Sequence, residues 1–490
     1  MLLLGECLTM SNPPRAEAVL VEGERIAAVG DAATLAARSP GVKQVRVQQI
    51  TPGLTDAHLH PVTWGRSLGL LDLAGLDDPR AVADLAAARA RTLPPGAWVE
   101  GGGYLFDHYP DGGLLDRAAP TNPVLLLSRD LHSAWANAAA LRQAGIGPQT
   151  VDPKGGRLVR DAGGRPTGYL LERGVALLQQ ATPAASPADF QRGLADLAGR
   201  GYTAVHAMAL EAPESLQWAE SMAAAERLPV RLWWALDRRT WSGVAPGWRG
   251  HSLHVAAVKL FADGALGSRT AWMIEPYPDG SAGVPVDDLE EIREVGERAV
   301  AAGFTLAVHA IGTRAVARAA SVLASMAPLA PTPPRLEHVQ HLRDEDLPQL
   351  AVSGLALSVQ PIHLPGDVEL VRRQQPGRER EAFRLRDLLA TGRPLAMGSD
   401  APVAPPDFSG ALAAATHHPL NPGQSLSFEE VVLGFTRGAA LAAGWHHYGA
   451  VVPGAPADLA LWEGKRVVAR VFRGVLEALN GAEPCCHSSM

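Results

Sequence analysis

Short apolar strands alternate with helical stretches through most of this 490-residue chain. That rhythm predicts an α/β fold: a (β/α)8 barrel of the TIM type, with a small β-sandwich domain formed by both chain termini and an insertion after the first barrel strand. Three observations carry the prediction. From about Phe190 the pattern runs strand, helix, strand, helix, and an opening strand at His58 brings the strands to eight. Both chain ends are rich in strands and lack that rhythm. The stretch from about Thr63 to Pro187 interrupts it.

The N-terminal part carries strand-like runs at Ala18–Val21 and Ile26–Val29, split by a Glu22-Gly23-Glu24 turn, and Val45-Arg46-Val47 alternates as a half-buried strand does. Near the other end, Ala457–Trp462 and Val467–Phe472 read as strands, with Arg473-Gly474 turning the chain. Residues 1–52 and 443–490 are therefore expected to form the small β-domain, and residues 53–442 the barrel with its insertion at about 63–187. Within the insertion, Ala81–Thr92 reads as a helix and Pro123–Leu127 as a buried strand. The glycine-rich turns between Gly155 and Arg165 read as a two-stranded ribbon. The barrel strands are Tyr202–Met208, Val230–Leu236, Val255–Ala262, Phe304–Ile311, Arg335–Val339, Leu355–Gln360 and Pro394–Gly398. Leu289–Ala302, Arg314–Ser325 and Arg384–Ala390 are helical stretches between them.

Composition narrows the function classes. Apolar residues make up 47% and charged residues 19%, as in globular proteins, and a net charge of −7 offers no attraction to nucleic acid or anionic lipid. No apolar run is long enough to span a bilayer. Met1-Leu2-Leu3-Leu4-Gly5-Glu6 lacks the basic start of a signal peptide and reads as a strand. Three cysteines argue against a disulfide framework and for a reducing, cytoplasmic setting. Cys485-Cys486-His487 follows Gly481 and Pro484 at the chain end, and reads as a mobile tail rather than a metal clip.

In a barrel of this kind chemistry sits where strands end, and several of these strands end in polar residues that a core has no use for. The first closes on Asp56-Ala57-His58-Leu59-His60. Residues i and i+2 share one face of a strand, so His58 and His60 can grip one cation. The fourth contains Lys259, the fifth ends at His309, the sixth holds Glu337-His338, and the eighth ends Gly398-Ser399-Asp400. Taken singly, each such residue is usually structural. Their joint occurrence at the ends of five strands points to one site.

These phrases, with Val258–Thr270, Ser358–His363, His132–Asn137 and Gly168–Glu172, resemble the amidohydrolase superfamily of metal-dependent hydrolases. The chain is most similar to the YtcJ-like (amidohydrolase 3) branch, which includes N-substituted formamide deformylases. The resemblance implies a site for one or two divalent ions, zinc first and manganese or iron as alternatives. His58 and His60 would hold one ion with Asp400 close by, and His309 and His338 the other. Lys259 would be carbamylated and bridge them, since a bare ammonium repels cations. The implied reaction is hydrolysis of a non-peptide carbon–nitrogen bond in an N-acyl or N-formyl amine by metal-activated hydroxide. Asp400 would take the water's proton and return it to the leaving nitrogen. His132, Glu172, Arg269 and His363 resemble substrate-binding residues of the family. The implied partner is a small molecule, with a homodimer expected by analogy.

Two positions depart from the family pattern: Thr313 stands where many relatives carry an acid, and Ala207 follows His206 where relatives often have Asp. Neither is a ligand in this assignment. A deaminase or an ester or lactone hydrolase would use the same centre. A non-catalytic binding protein on this scaffold is the alternative of a different class.

Overall fold

The computed structural model describes residues 1–104, 106, 109–111, 113–128, 133–153, 156–267, 269–479 and 485–487, without the side chains of 172, 173 and 485–487. Two compact units emerge: Met1–Gly65 together with Pro187–Met490, and Arg66–Ser186.

The first unit holds the barrel. Its strands are β1 (Leu54–Leu59), β2 (Tyr202–Ala207), β3 (Arg231–Asp237), β4 (Leu253–Phe261), β5 (Thr305–Ala310), β6 (Arg335–His338), β7 (Ala356–Val359) and β8 (Leu395–Met397). They pair in chain order, each parallel to the next. The seven whose ranges were expected from the sequence lie within two residues of those ends, and the first ends one residue before His60. Apolar side chains on both faces of these strands are buried, which is why they read as continuous hydrophobic runs; all six residues of β2, for example, are buried.

Helices cover the outside where the sequence presents an apolar stripe. In α1 (Leu289–Ala301), Asp288 accepts the amide of Glu290, and Ile292, Val295, Gly296 and Ala299 turn one face inward. In α2 (Thr313–Met326), Val316, Ala319, Ala320 and Leu323 do the same.

Closure between β8 and β1 is made just beyond the strands. The amide of Asp400 donates to His58 O at 2.6 Å and that of His60 to Ala401 O at 2.9 Å. The Asp56 carboxylate accepts the amide of Ser399 at 3.0 Å. Residue 398 must be glycine here, because a Cβ would stand 2.5 Å from the amide nitrogen of His58.

Both chain ends build one β-structure. Its hydrogen-bonded path runs Val475–Ala478, Arg466–Phe472, Leu459–Glu463, Gln44–Pro52, Leu2–Leu8, Arg15–Glu22, Arg25–Gly30. Leu3, Val19, Val45, Leu461 and Val471 share one apolar core, while Leu2, Leu4 and Leu20 pack with Leu35 of the helix Ala32–Arg38. The tail expected to be loose is instead paired: Cys485–His487 runs antiparallel to Gln44–Arg46. Leu459–Glu463 covers only Gln49–Pro52 of that neighbour, so the backbone of Gln44–Arg46 has open hydrogen-bonding groups to satisfy.

The second unit carries a six-stranded sheet in the order Gly156–Arg160, Pro166–Glu172, Ser133–Ala136, Val124–Ser128, Val99–Tyr104, Leu71–Asp72. The glycine-turned ribbon is its antiparallel edge pair. Asp161 shapes the turn by accepting the amides of Gly163 and Arg165, each at 2.9 Å. No helix among the described residues is long and apolar enough to cross a membrane.

Candidate metal centre

The polar residues expected at the strand ends converge. One nitrogen of His58, one of His338 and one oxygen of Asp400 lie within 4.8 Å of one another. His60 joins them, its Nε2 at 3.3 Å from Asp400 Oδ1. His309 stands beside His338, with ring centroids 4.4 Å apart. Strand alternation alone would aim His338 away from the lumen that Arg335 and Glu337 face. The backbone at His338 is left-handed, with φ of 74°, and at Asp400 φ is 59°. Such conformations are uncommon outside glycine and cluster at functional sites; here they break the alternation where side chains must turn inward.

Charge and tautomer are set by the surroundings. His58 Nδ1 lies 2.7 Å from Glu337 Oε2. Donating there leaves Nε2 with a lone pair facing Asp400 Oδ1 at 3.5 Å, two acceptors that a shared cation would reconcile. Burial, with Lys259 nearby, pushes His58 down to about 4 against the opposing pull of Asp400 and Glu337. His309 falls to about 3 for the same two reasons. Burial and the neighbouring histidines take His338 well below its ordinary value. Burial alone would raise Asp400, but His58, His60 and His338 outweigh it and hold the carboxyl well below the usual range. At neutral pH His58, His309 and His338 are thus neutral and Asp400 a carboxylate, the forms a metal requires.

Lys259, on β4, is 2% exposed. Its Nζ has no hydrogen-bond partner, and neither does Nδ1 of His338. Burial pushes the amine down to about 8, with Glu337 and Asp400 opposing. Orphaned buried donors and acceptors are rare and costly. Orphaned atoms among neutral imidazoles and a carboxylate fit a metal ion.

Several residues of this machinery are not candidates on sequence grounds. Glu337 is fully buried and accepts Arg335 Nε at 2.8 Å as well as His58. Arg335 is itself fully buried, with its guanidinium 4.6 Å from the Trp233 ring centroid. It also donates to Ala57 O and to His206 Nδ1, each at 2.7 Å. The signal was present as Arg335-x-Glu337, an i, i+2 pair of opposite charges inside an apolar strand. Asp263 is the second such case. It accepts the amides of Trp272, Ile311 and Gly312 at 2.8, 3.0 and 2.8 Å and so ties the loop after β4 to the end of β5. The His309 ring is fixed beside it, with Nε2 donating to Gly264 O at 2.9 Å. Thr313, where relatives carry an acid, accepts the amide of Ile274 and anchors the same loop.

A cavity of about 480 Å³ opens beside this group, lined by His309, His338 and Asp400 among others. Of the expected substrate-binding residues, His363 lines it, with Nε2 2.9 Å from Ser399 O. Arg269 does not: its guanidinium pairs with Asp279 at 2.5 Å on a half-exposed loop. His132 lies outside the described residues, as does the side chain of Glu172.

The chain matches the model of the Amidohydrolase family over residues 49–473, a span that includes every barrel strand and every residue of this centre. It belongs to the amidohydrolase family. This amidohydrolase is 32% identical to YtcJ of Bacillus subtilis over 460 residues, covering 87% of this chain and 86% of YtcJ. It is 28% identical over 477 residues to the N-substituted formamide deformylase of Arthrobacter pascens, covering 88% and 86%. Among solved structures, an uncharacterized metal-dependent hydrolase from Pyrococcus furiosus superimposes with a TM-score of 0.80 at 25% identity, over 95% of this chain and 99% of that one. General metal-dependent hydrolysis is the chemistry of this family member.

Proposed function

We propose that this amidohydrolase cleaves a non-peptide carbon–nitrogen bond in a small N-acyl or N-formyl amine. The observation that carries the reading is the convergence of His58, His338 and Asp400 beside a cavity of small-molecule size. His58, His60 and Asp400 would hold one ion, His309 and His338 a second, with carbamylated Lys259 between them. Zinc suits this set of nitrogen and oxygen donors, with manganese and iron as alternatives. A bound ion supplies Lewis acidity: it polarises the scissile carbonyl and makes water nucleophilic at neutral pH.

The chain's own residues do the rest. Asp400 is ionised and faces the cavity, so its carboxylate accepts a proton from water and returns it to the nitrogen that leaves. Glu337 keeps His58 in the Nδ1–H form, so that Nε2 stays free to bind. The apolar cavity wall excludes bulk water around the carbonyl. Loss of the proton to Asp400 and its delivery to the departing amine balance, and the products are a carboxylic acid and an amine. The address proposed from cysteine usage is cytoplasmic, and the assembly a homodimer.

The test is a screen of N-formyl amides, N-acyl amides and matched esters, with zinc, manganese or iron added to metal-stripped protein. Metal-dependent turnover of amides supports the reading, while turnover of esters alone replaces it with ester hydrolysis. Lys259→Ala should lower bound metal and turnover together, with partial rescue by a short carboxylic acid. Unchanged metal content in that variant removes Lys259 from the centre.

A further inference from the structure

The cavity contains a charge that the hydrolytic machinery does not use. Leu266, Ile311, Ile362, Leu370 and Val403 give it an apolar wall. Set into that wall is Asp367, in the first turn of the helix α3 (Leu364–Gln374). Its Oδ2 accepts a hydrogen bond from Gln340 Nε2 at 2.8 Å, which fixes the carboxylate's position without neutralising it. Among the described residues no lysine or arginine lines the cavity. Burial raises the pKa of Asp367, with His363 opposing, a sign that the charged form is poorly solvated there.

A carboxylate on an apolar wall is held at a cost unless a cation meets it. The protein provides the hydrogen-bond partner Gln340 and the nearby imidazole of His363, but no lysine or arginine among the described lining residues, so a permanently charged partner is one the ligand brings. A charge-assisted hydrogen bond from a ligand ammonium would be among the strongest single contacts the cavity can make. A ligand carboxylate in the same place would face Asp367 with like charge.

We infer that Asp367 is a specificity residue, and that the cavity selects amides with a compact apolar body ending in a protonated amine and discriminates against those ending in a carboxylate. This rests on the amide-hydrolysis reading above, and the experiment separates the two.

Three N-formyl-phenethylamines are compared, bearing aminomethyl, ethyl or carboxyl groups on the ring. The first two are nearly isosteric and differ in charge. The wild-type enzyme should prefer the cation over the ethyl compound by about tenfold or more in kcat/KM, the magnitude of a hydrogen bond to a charged group, and should use the acid least. In Asp367→Asn, which keeps an acceptor for Gln340, the ratio of cationic to neutral substrate should fall to near one. Asp367→Glu should restore part of it. Equal rates on the cationic and ethyl compounds in wild type, or a preference that survives in Asp367→Asn, overturns the inference. A second readout needs no turnover: binding of the diamine product by calorimetry should weaken about tenfold in Asp367→Asn. If none of the three amides is hydrolysed, the amide reading fails, and diamine binding still decides the role of Asp367.

Discussion

Arg231 and Arg335 each begin a barrel strand, each is buried, and each is set against an aromatic ring. Arg231 meets Asp458 at 2.6 Å and His251 O at 2.6 Å, with Tyr448 5.1 Å from its guanidinium. The far oxygen of Asp458 takes the amide of Arg473 at 2.9 Å. Among the described residues, no side-chain nitrogen or oxygen of Arg231 or Asp458 is buried without a hydrogen-bond partner. Arg335 is equally well met by Glu337, His206 and Ala57, but its chain of contacts does not end there. Glu337 passes it to His58, and beyond His58 lie Asp400 and the unpartnered atoms of His338 and Lys259. A buried ion pair whose contacts close on themselves joins the terminal sheet to the barrel. One whose contacts lead to open donors serves a site.

Breaking each cluster should therefore give different losses. The largest effect is expected at the end of the open chain. Asp400→Asn should lower kcat by about 10²–10⁴-fold, the usual contribution of a positioned acid/base, with the thermal melt little changed; near-wild-type turnover would exclude the proton-transfer role. In the closed cluster, Arg231→Leu leaves the Asp458 charge buried and unpaired. It should cost about 3–5 kcal/mol of stability in a denaturant titration while the zinc dissociation constant stays within error. A large change in zinc affinity would show that the two clusters are not separate. One step back along the open chain, Glu337→Gln should weaken zinc about 10–100-fold in a chelator competition, as loss of a partner that orients a ligand does. Unaltered affinity would make Glu337 a purely structural group.

The smallest effect is on protonation. In metal-free protein, NMR titration should find the His58 and His309 rings neutral until pH falls to about 4 and about 3, where exposed imidazoles titrate near 6.5. The sign of the linkage follows. The unfolded chain takes up these protons first as pH drops below about 6.5, so each histidine lowers folded-state stability from there down to its folded pKa, and no further below it. Asp56 and Asp263, raised to about 7 by burial, act in the opposite direction between about 3.8 and 7. A titration of His58 near 6.5 would contradict the closed, desolvated geometry around it.

Much of the barrel was legible because its strands are buried on both faces and the helices between them are amphipathic, patterns that survive in a single chain. His58, His60, Lys259, His309, His338 and Asp400 were legible because polar residues closing apolar strands are conspicuous. Glu337 and Asp263 were quoted in those same phrases and still passed over. Their partners, His58 for one and the amides of Ile311 and Gly312 for the other, lie far away in the chain. Arg269, in another such phrase, is tied by the fold to the neighbouring carboxylate of Asp279. Cys485–His487 could not be placed either, since its pairing depends on a strand edge that another segment leaves uncovered.

The amino-acid order by itself marked which polar residues would stand at the ends of which strands, because periodicity and strand boundaries are local properties. Only the tertiary structure decided which donors share a point, which ring nitrogen of His58 is free, and that Asp367 faces the same cavity. Those facts depend on closure of β8 onto β1 and on left-handed backbone at His338 and Asp400, where residues distant in sequence meet across a few ångströms.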